Sequence, residues 1–355
     1  MKQALDVCSL ERAEEIVARN PASHEAGKPS LCIGREESLR LLSEEEQPLW
    51  DELVEASPQG SLFCRSWWLR MAAPQARVMG YFHGRRLVAG IPLFFKKRWG
   101  IKLCTMPRLT QTWGVVIEPV EGKREHQISR QMEILTIFAR YLAGQRIFLQ
   151  RFHPEMSNFL PFQWHGFQQV PRVTYVIEYL CDLERIWEGM RDSQRREIRK
   201  AEKRHILVEQ CEPEVVADNM AKTYARQGLQ APPETRLIRE IYNVARQNSA
   251  GECFAARDAE GRVHAAALLV WDRKRAYYLA GGGDPTLRVS GATSLLLWKI
   301  MQFASGRSAV FDFEGSQLPA VEKFFRAFGA SQVWYHEISK MPRWLRAGLV
   351  LTRKA

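Results

Sequence analysis

The chain lacks any apolar run long enough to cross a bilayer. Its longest, Leu87 to Phe95 and Ala265 to Trp271, fall well short of the roughly 18 residues a spanning helix needs. Met1 to Leu10 carries Asp6 and leads into Glu11, Glu14 and Glu15, where a secretory signal would place an apolar stretch. The expectation is a cytoplasmic protein. Cysteine pairs are missing as well. Cys8, Cys32, Cys64, Cys104, Cys181, Cys211 and Cys253 stand singly, without a C-x-x-C, which argues against a zinc site or dithiol centre and for reduced thiols. The histidines are scattered and H-E-x-x-H does not occur, so no metal is expected. No local signature of a Ser/His/Asp or Cys/His nucleophile is present, and Gly281-Gly282-Gly283 lacks the spacing of a Rossmann or P-loop phosphate motif.

What the chain does have is length and positive charge. Its 355 residues, 46% hydrophobic and 26% charged, supply material for more than one ordinary core, in two domains or one large one. A net charge of +11 implies an anionic partner: nucleic acid, an anionic lipid surface or a phosphate-bearing small substrate.

Residues 1–44 read as a partly ordered leader, polar and turn-rich from Asn20 to Lys28. A helix opens at Glu44 to Gln47 and ends at Pro58-Gln59-Gly60, and Leu62 to Met71 has helical spacing, with Trp67 and Trp68 read as packing residues. Val78 to Phe82, a turn at His83-Gly84-Arg85 and Leu87 to Phe95 signal a hairpin. A helix over Glu125 to Leu142 is flanked by short strands at Val115 to Ile117 and Ile147 to Gln150. About half a chain length later the plan repeats: Gly261-Arg262-Val263-His264-Ala265-Ala266 answers Gly84-Arg85-Arg86-Leu87-Val88-Ala89, which suggests a duplicated unit. The order continues as strand Ala276 to Ala280, loop Gly281 to Pro285, helix Ser290 to Ala304, strand Ala309 to Phe313, helix Pro319 to Phe328 and strand Gln332 to Ile338. Such alternation predicts a mixed α/β (α+β) architecture.

Three segments carry chemistry. Arg191 to Arg204 holds seven cationic and three acidic side chains on what reads as a single helix from Leu183, with Arg191, Arg195 and Arg199 sharing a stripe. Guanidinium groups so aligned fit a diphosphate or a nucleic-acid backbone. The alternative is a solvated face laced with pairs such as Asp192 with Arg196. Arg288-Val289-Ser290-Gly291-Ala292-Thr293 resembles the R/Q-x-x-G-x-G/A loop with which acetyltransferases hold the coenzyme A pyrophosphate at a helix start. This makes Arg288, Gly291 and Ala292 cofactor-binding candidates, with an ordinary cap at Ser290 as the alternative. Phe311-Asp312-Phe313-Glu314-Gly315-Ser316 puts two carboxylates on one strand face with phenylalanines on the other. Asp312 or Glu314 could take the proton of an attacking amine or hydroxyl. The alternative is a structural pairing, Arg326 being the expected partner.

Ser57-Pro58-Gln59-Gly60-Ser61-Leu62-Phe63 with Trp68-Leu69, and Pro107-Arg108-Leu109-Thr110-Gln111-Thr112-Trp113-Gly114, resemble the first half of FemAB and BioF2-like acyltransferases. Arg195-Arg196-Glu197-Ile198-Arg199-Lys200-Ala201-Glu202-Lys203 is similar to that family's R-x-x-I-R-K-A-x-K helix, and Phe311 to Ser316 resembles its D-F-x-G strand end. The resemblance implies two acetyltransferase-like (GNAT) domains, 45–178 and 179–340, each a twisted, mostly antiparallel sheet flanked by helices, with a cleft between them and a basic amphipathic tail at 341–355. It implies transfer of an acyl group from acyl-CoA, or of an aminoacyl group from aminoacyl-tRNA, to an amine or hydroxyl of a small-molecule or cell-envelope precursor. Arg195 and Arg199 become candidates for a diphosphate acceptor, and Gln111, Trp113 and Tyr278 for substrate binding. One position departs from the family: its F-K-x-x-F-G reads Phe324-Phe325-Arg326-Ala327-Phe328-Gly329 here, with Phe325 where the lysine stands. The competing class is a non-catalytic module of the same fold that holds RNA or an anionic membrane, the tail Met341 to Val350 supplying interfacial character.

Overall fold

The computed structural model describes residues 30–32, 37–98, 100–225, 236–315 and 319–342. Most of the expected leader, Ser316 and the basic tail from residue 343 lie outside the described residues, as does the side chain of Arg288. The chain divides into two units, one spanning Val173–Val333 and the other built from the described residues on either side of it.

The first unit contains β1 (Ser30–Cys32), β2 (Glu37–Leu41), α1 (Gln47–Ala56), α2 (Ser66–Ala72), β3 (Arg77–His83), β4 (Arg86–Arg98), β5 (Ile101–Thr105), β6 (Val116–Ile117), α3 (Arg124–Ala143), β7 (Ile147–Phe152) and α4 (Leu160–Trp164). The next strand, β8 (Gln168–Ile177), leads into the second unit: α5 (Leu183–Gly189), α6 (Asp192–Lys203), β9 (Leu207–Gln210), α7 (Pro213–Ala225), α8 (Leu237–Gln247), β10 (Gly251–Arg257), β11 (Val263–Trp271), β12 (Arg275–Gly283), α9 (Ala292–Ala304), β13 (Val310–Asp312) and α10 (Pro319–Arg326). The last strand, β14 (Ser331–Lys340), returns to the first.

The two units share one strand plan. In the first, β2, β3, β4 and β5 pair antiparallel in sequence, and α3 then carries the chain across to β7, which lies parallel to β5. In the second, β9, β10, β11 and β12 pair antiparallel, and α9 carries the chain to β13, parallel to β12. Each parallel strand has its antiparallel neighbour from the opposite half of the sequence. Residues His336 to Lys340 of β14 pair with β7, and Val176 and Ile177 of β8 pair with β13.

Each unit has its own core. Ile134, Leu135, Phe138, Ala139 and Leu142 of α3 pack on the first sheet, at the i, i+1, i+4, i+5 and i+8 positions that form one helical face. In the second, Leu295 to Trp298, Ile300, Met301 and Ala304 of α9 join Ile198 and Ala201 of α6 and Phe311, Phe313, Phe325 and Phe328.

The structure departs from the sequence reading in three places. Glu37–Leu41 is a strand paired to β3, so the first unit begins inside the segment read as leader. The helix expected to run from Leu183 through Arg204 is broken at Met190-Arg191 into α5 and α6, both in extended backbone, with the Arg191 N–H donated to the Ala327 carbonyl at 2.9 Å. Gly281-Gly282-Gly283, read as a loop, completes β12 opposite Ala267, Ala266 and Ala265.

Candidate active site

In the second unit the parallel pairing of β12 with β13 stops at Tyr277 and Asp312, while β12 runs on for six residues to Gly283. The two strands therefore part, and Tyr278 is the first residue beyond the vertex. A bulge falls at the same point, since Leu268 faces Ala280 and Leu269 faces Tyr278. Leu279 is left with no counterpart on β11, the feature by which a bulge re-aims side chains and backbone groups. The Tyr278 ring lies along the strand over Gly281, where a Cβ would overlap its hydroxyl and come within 2.7 Å of the ring. Phe325 of α10 covers its other side, ring centres 6.2 Å apart. Burial pushes the Tyr278 hydroxyl up to about 12, so at neutral pH it is a hydrogen-bond donor.

Phe325, at the position where the resembled family has lysine, is buried and stacks on Phe313 at 4.9 Å. The space is filled by aromatic packing, and a lysine there would have to place its ammonium beside Tyr278 or Phe313.

Asp312 and Glu314 do not share a strand face. Asp312 is fully buried; it accepts from the Thr174 hydroxyl, from Arg275 Nη1 at 2.8 Å and from the Glu314 N–H at 2.7 Å. These bonds tie β8, β12 and β13 together, with Arg275 in the place the sequence reading gave to Arg326. Arg326 pairs instead with Glu322 at 2.7 Å. Glu314 leaves the strand with φ +53°, a left-handed conformation uncommon for a side chain of its kind. It is half-buried. Phe311 and Phe313 both enter the core. Gly315 follows at φ +30°, and a Cβ there would overlap the Thr174 Cα and the Val173 carbonyl. The D-F-E-G segment is thus first a turn that lets β8 approach β13. Asp312 is its anchor, and Glu314 stands at the exit from the strand.

The loop expected to hold pyrophosphate packs against α6. A 3-10 turn, Pro285–Ser290, leads to Gly291 at φ +79°, which opens α9. The Ala292 N–H is taken by the Ser290 hydroxyl at 3.2 Å, and those of Ser294 and Leu295 by the Gly291 carbonyl. Ser290, Gly291 and Ala292 are buried. The backbone of α6 lies against them: a Cβ on Gly291 would overlap the Glu197 carbonyl oxygen and stand 3.3 Å from Glu197 Oε2. Arg204 donates to the Val289 carbonyl at 3.2 Å. Gly291 and Ala292 thus stand where α6 packs on α9.

The arginine stripe is partly committed. Arg195 donates to the Trp187 and Glu188 carbonyls at 3.3 and 3.2 Å and pairs with Asp192. It caps the end of α5, where carbonyls have no intrahelical partner. Asp192 was expected to pair with Arg196. Arg199 lies over the Trp187 ring at 5.5 Å and is exposed.

In the first unit the corresponding departure of β5 from β7 is filled by the chain itself. Pairing stops at Cys104 and Phe148, and the segment through Thr110, Gln111, Thr112 and Trp113 is buried there. Trp113 takes up a parallel bridge to Phe152, receives no ligand-facing surface at 1% exposure, and donates its indole N–H to the Phe63 carbonyl at 2.8 Å. Gln111 is 5% exposed. The two residues read as substrate contacts, Gln111 and Trp113, lie in this buried segment.

Residues 189–326 match the family model described as an acetyltransferase (GNAT) domain. The fold is of the GNAT type. Among solved structures it resembles FemX, with a TM-score of 0.64 and 14% identity over 87% of this chain and 96% of that one. It also resembles a tandem GNAT protein from the clavulanic acid biosynthesis pathway, TM-score 0.53 and 11% identity over 86% and 98%. A third likeness is to the C-terminal domain (DUF2156) of a protein named as a lysylphosphatidylglycerol synthetase of Agrobacterium fabrum, TM-score 0.51 and 13% identity over 87% and 94%. No curated protein matches the chain by sequence. The mixed α/β class and GNAT architecture expected from the sequence are those observed. Among the described residues, no helix is long and apolar enough to cross a membrane, and no group of three His, Cys, Asp or Glu side chains is placed to hold a metal ion.

Proposed function

We propose that the second unit transfers an acyl group from an activated donor, a thioester or an aminoacyl ester, to an amine. The observation that carries this reading is the parting of β12 and β13 at Tyr277 and Asp312, with the bulge and Tyr278 at its vertex. Beyond that point β12 offers main-chain groups on the side that β13 has left, suited to amides of an extended donor arm as one strand suits another. The donor carbonyl sits at the vertex, where the Leu279 N–H stabilises the oxyanion. The amine nitrogen attacks the carbonyl carbon, a C–N bond forms, and the bond from that carbon to the donor's sulfur or oxygen breaks. Glu314 receives the proton lost by nitrogen, and the Tyr278 hydroxyl donates to the departing sulfur or oxygen. Asp312 holds the geometry. A charge of +11 supports a phosphate-bearing donor such as charged tRNA, or a phosphorylated acceptor met by the exposed Arg199, and it accommodates contact with an anionic membrane surface.

The test is transfer itself. Labelled acetyl-CoA and labelled aminoacyl-tRNA are each incubated with the full chain and a panel of amines, precursors of the cell envelope included. Product is expected with one donor class and should be lost on Glu314→Gln. Failure of both donors across the panel, or turnover unaffected by both Glu314→Gln and Tyr278→Phe, sinks the proposal. Binding of RNA or anionic vesicles without any turnover would move the assignment to a binding module of the same fold.

A further inference from the structure

The seven cysteines stand singly in the sequence, yet the fold sets two of them side by side. In the second unit β9 runs antiparallel to β10, with Glu209 opposite Ala255 and Gln210 opposite Phe254. One step further along that register Cys211 stands opposite Cys253, and its N–H is donated to the Cys253 carbonyl at 3.0 Å. Residues directly opposite in an antiparallel pair carry their side chains on the same face, with Cα atoms about 5.5 Å apart where the pair is hydrogen-bonded. A disulfide spans roughly 4.4–6.8 Å between Cα atoms. Bridging needs the two Cβ atoms to close from about 5 Å to about 4 Å. The rung is suited to that adjustment. Strand β9 ends at Gln210, and the Cys253 N–H goes to Glu252 Oε1 at 3.1 Å, so one main-chain bond joins the pair. Both thiols are reduced, Cys253 buried and Cys211 partly exposed. Gly251 shares the strand face of Cys253, and a Cβ on it would stand 2.5 Å from the Ala245 Cβ of α8. Cys211 lies two residues before Pro213, where α7 begins.

We propose that Cys211 and Cys253 form a modification site that takes a low-molecular-weight disulfide as oxidant and closes a cross-strand bond at the foot of α7. The Cys211 thiolate, the more accessible of the two, attacks one sulfur of the oxidant; a mixed disulfide forms and one small thiolate leaves. The Cys253 thiolate then attacks the Cys211 sulfur and expels the second. The protein loses two protons and two electrons, and the oxidant becomes two small thiols. The new bond closes a loop that holds α7 and α8. Helix α7 lies on β12, where the Thr223 hydroxyl accepts the Gly283 N–H at 3.2 Å and the Asn219 carbonyl abuts Gly282. The modification therefore secures the helix that covers this strand. Burial pushes the Cys211 thiol up to about 12 and raises that of Cys253, with the Glu252 and Glu212 carboxylates adding to both. Thiols held so high attack slowly and leave slowly, so the bond is slow to form and slow to be reduced.

The experiment incubates the full chain with oxidised glutathione at pH 7, 8 and 9, blocks the remaining thiols with N-ethylmaleimide and maps the peptides by mass spectrometry. Exposed Cys181 is the internal control for attachment of glutathione. The expected product is a Cys211 peptide joined to a Cys253 peptide within single chains. Its formation should quicken about tenfold per pH unit, as the thiolate fraction does below a thiol's pKa. The melting temperature should rise by at least about 4 °C, because the closed loop removes entropy from the unfolded chain. Dithiothreitol should reverse both changes, and Cys211→Ser should show neither. Glutathione left on Cys211 without the second exchange overturns the proposal. So does blocking of both cysteines by maleimide while Cys181 carries glutathione, or a bond that forms only in urea. None of these readouts involves turnover, so they are independent of the transferase reading.

Discussion

The two units solve the same topological problem in opposite ways. Each has an antiparallel run of strands followed by a helical crossover to a parallel strand, and in each the parallel pair parts after only a few residues. In the first unit the gap is closed by Thr110 to Trp113, buried and hydrogen-bonded to the Phe63 and Arg151 carbonyls. In the second it is lined by Tyr278, the bulge at Leu279 and three glycines of β12. The difference teaches that a parting of parallel strands is an opportunity and not a site. What decides is whether the chain fills it with a tryptophan or leaves a donor hydroxyl at its vertex.

Substitutions that separate the two gaps make the contrast testable. The largest effect is expected from Asp312→Ala, which strands Arg275 in the second unit at 11% exposure without its counter-charge and should cost about 3–5 kcal/mol in urea denaturation. A loss below 1 kcal/mol would mean that the Asp312 anchor does not hold the vertex. Tyr278→Phe should lower kcat by about a hundredfold, roughly 2.7 kcal/mol in barrier. Its KM and melting temperature should stay close to those of the wild type; equal changes in kcat and stability would reduce Tyr278 to packing. Trp113→Phe in the first unit should do the reverse, removing one buried hydrogen bond to the Phe63 carbonyl for about 1–2 kcal/mol and leaving turnover intact. A fall in donor affinity in that variant would return the plug to the list of binding segments.

The smallest effect concerns the edge of the first unit. Arg40 is bonded to Glu46 at 2.6 and 2.7 Å, and that pairing depresses the Glu46 carboxyl from 4.5 to about 2. A carboxyl depressed on folding contributes stability that is fully present above 4.5 and lost as pH falls towards 2. Acid titration of Glu46→Gln should therefore show a shallower loss across that window than the wild type, with no difference at pH 7 in the slope of stability against pH.

Much of the fold was legible because its signals are local. The turn at His83 to Arg85 and the helices α3 and α9 depend on neighbours in sequence and were read close to their observed limits. The break at Met190-Arg191 was not legible, since it is set by the Arg191 amide reaching Ala327, a tertiary bond. β12 ran past its expected end for a similar reason. Glycines read as loop, but a Cβ on Gly282 would overlap the Asn219 carbonyl of α7, so the strand needs them where the helix lies down. At the site, residue type was informative and role was not. Asp312 and Glu314 looked like an acid pair, and only the positive φ at Glu314 with the three donors on Asp312 separates the buried anchor from the carboxylate proposed as base.

The exchanged outer strands also set a schedule for synthesis. The strand that flanks β7 comes from residues 336–340, so the first unit's sheet cannot close while the ribosome is still making the second. For most of translation β7 waits with a bare edge, a species open to wrong pairing with nascent neighbours. The half made first is in this sense finished last, and truncation before residue 336 should cost solubility in a part of the molecule nearly two hundred residues from the cut.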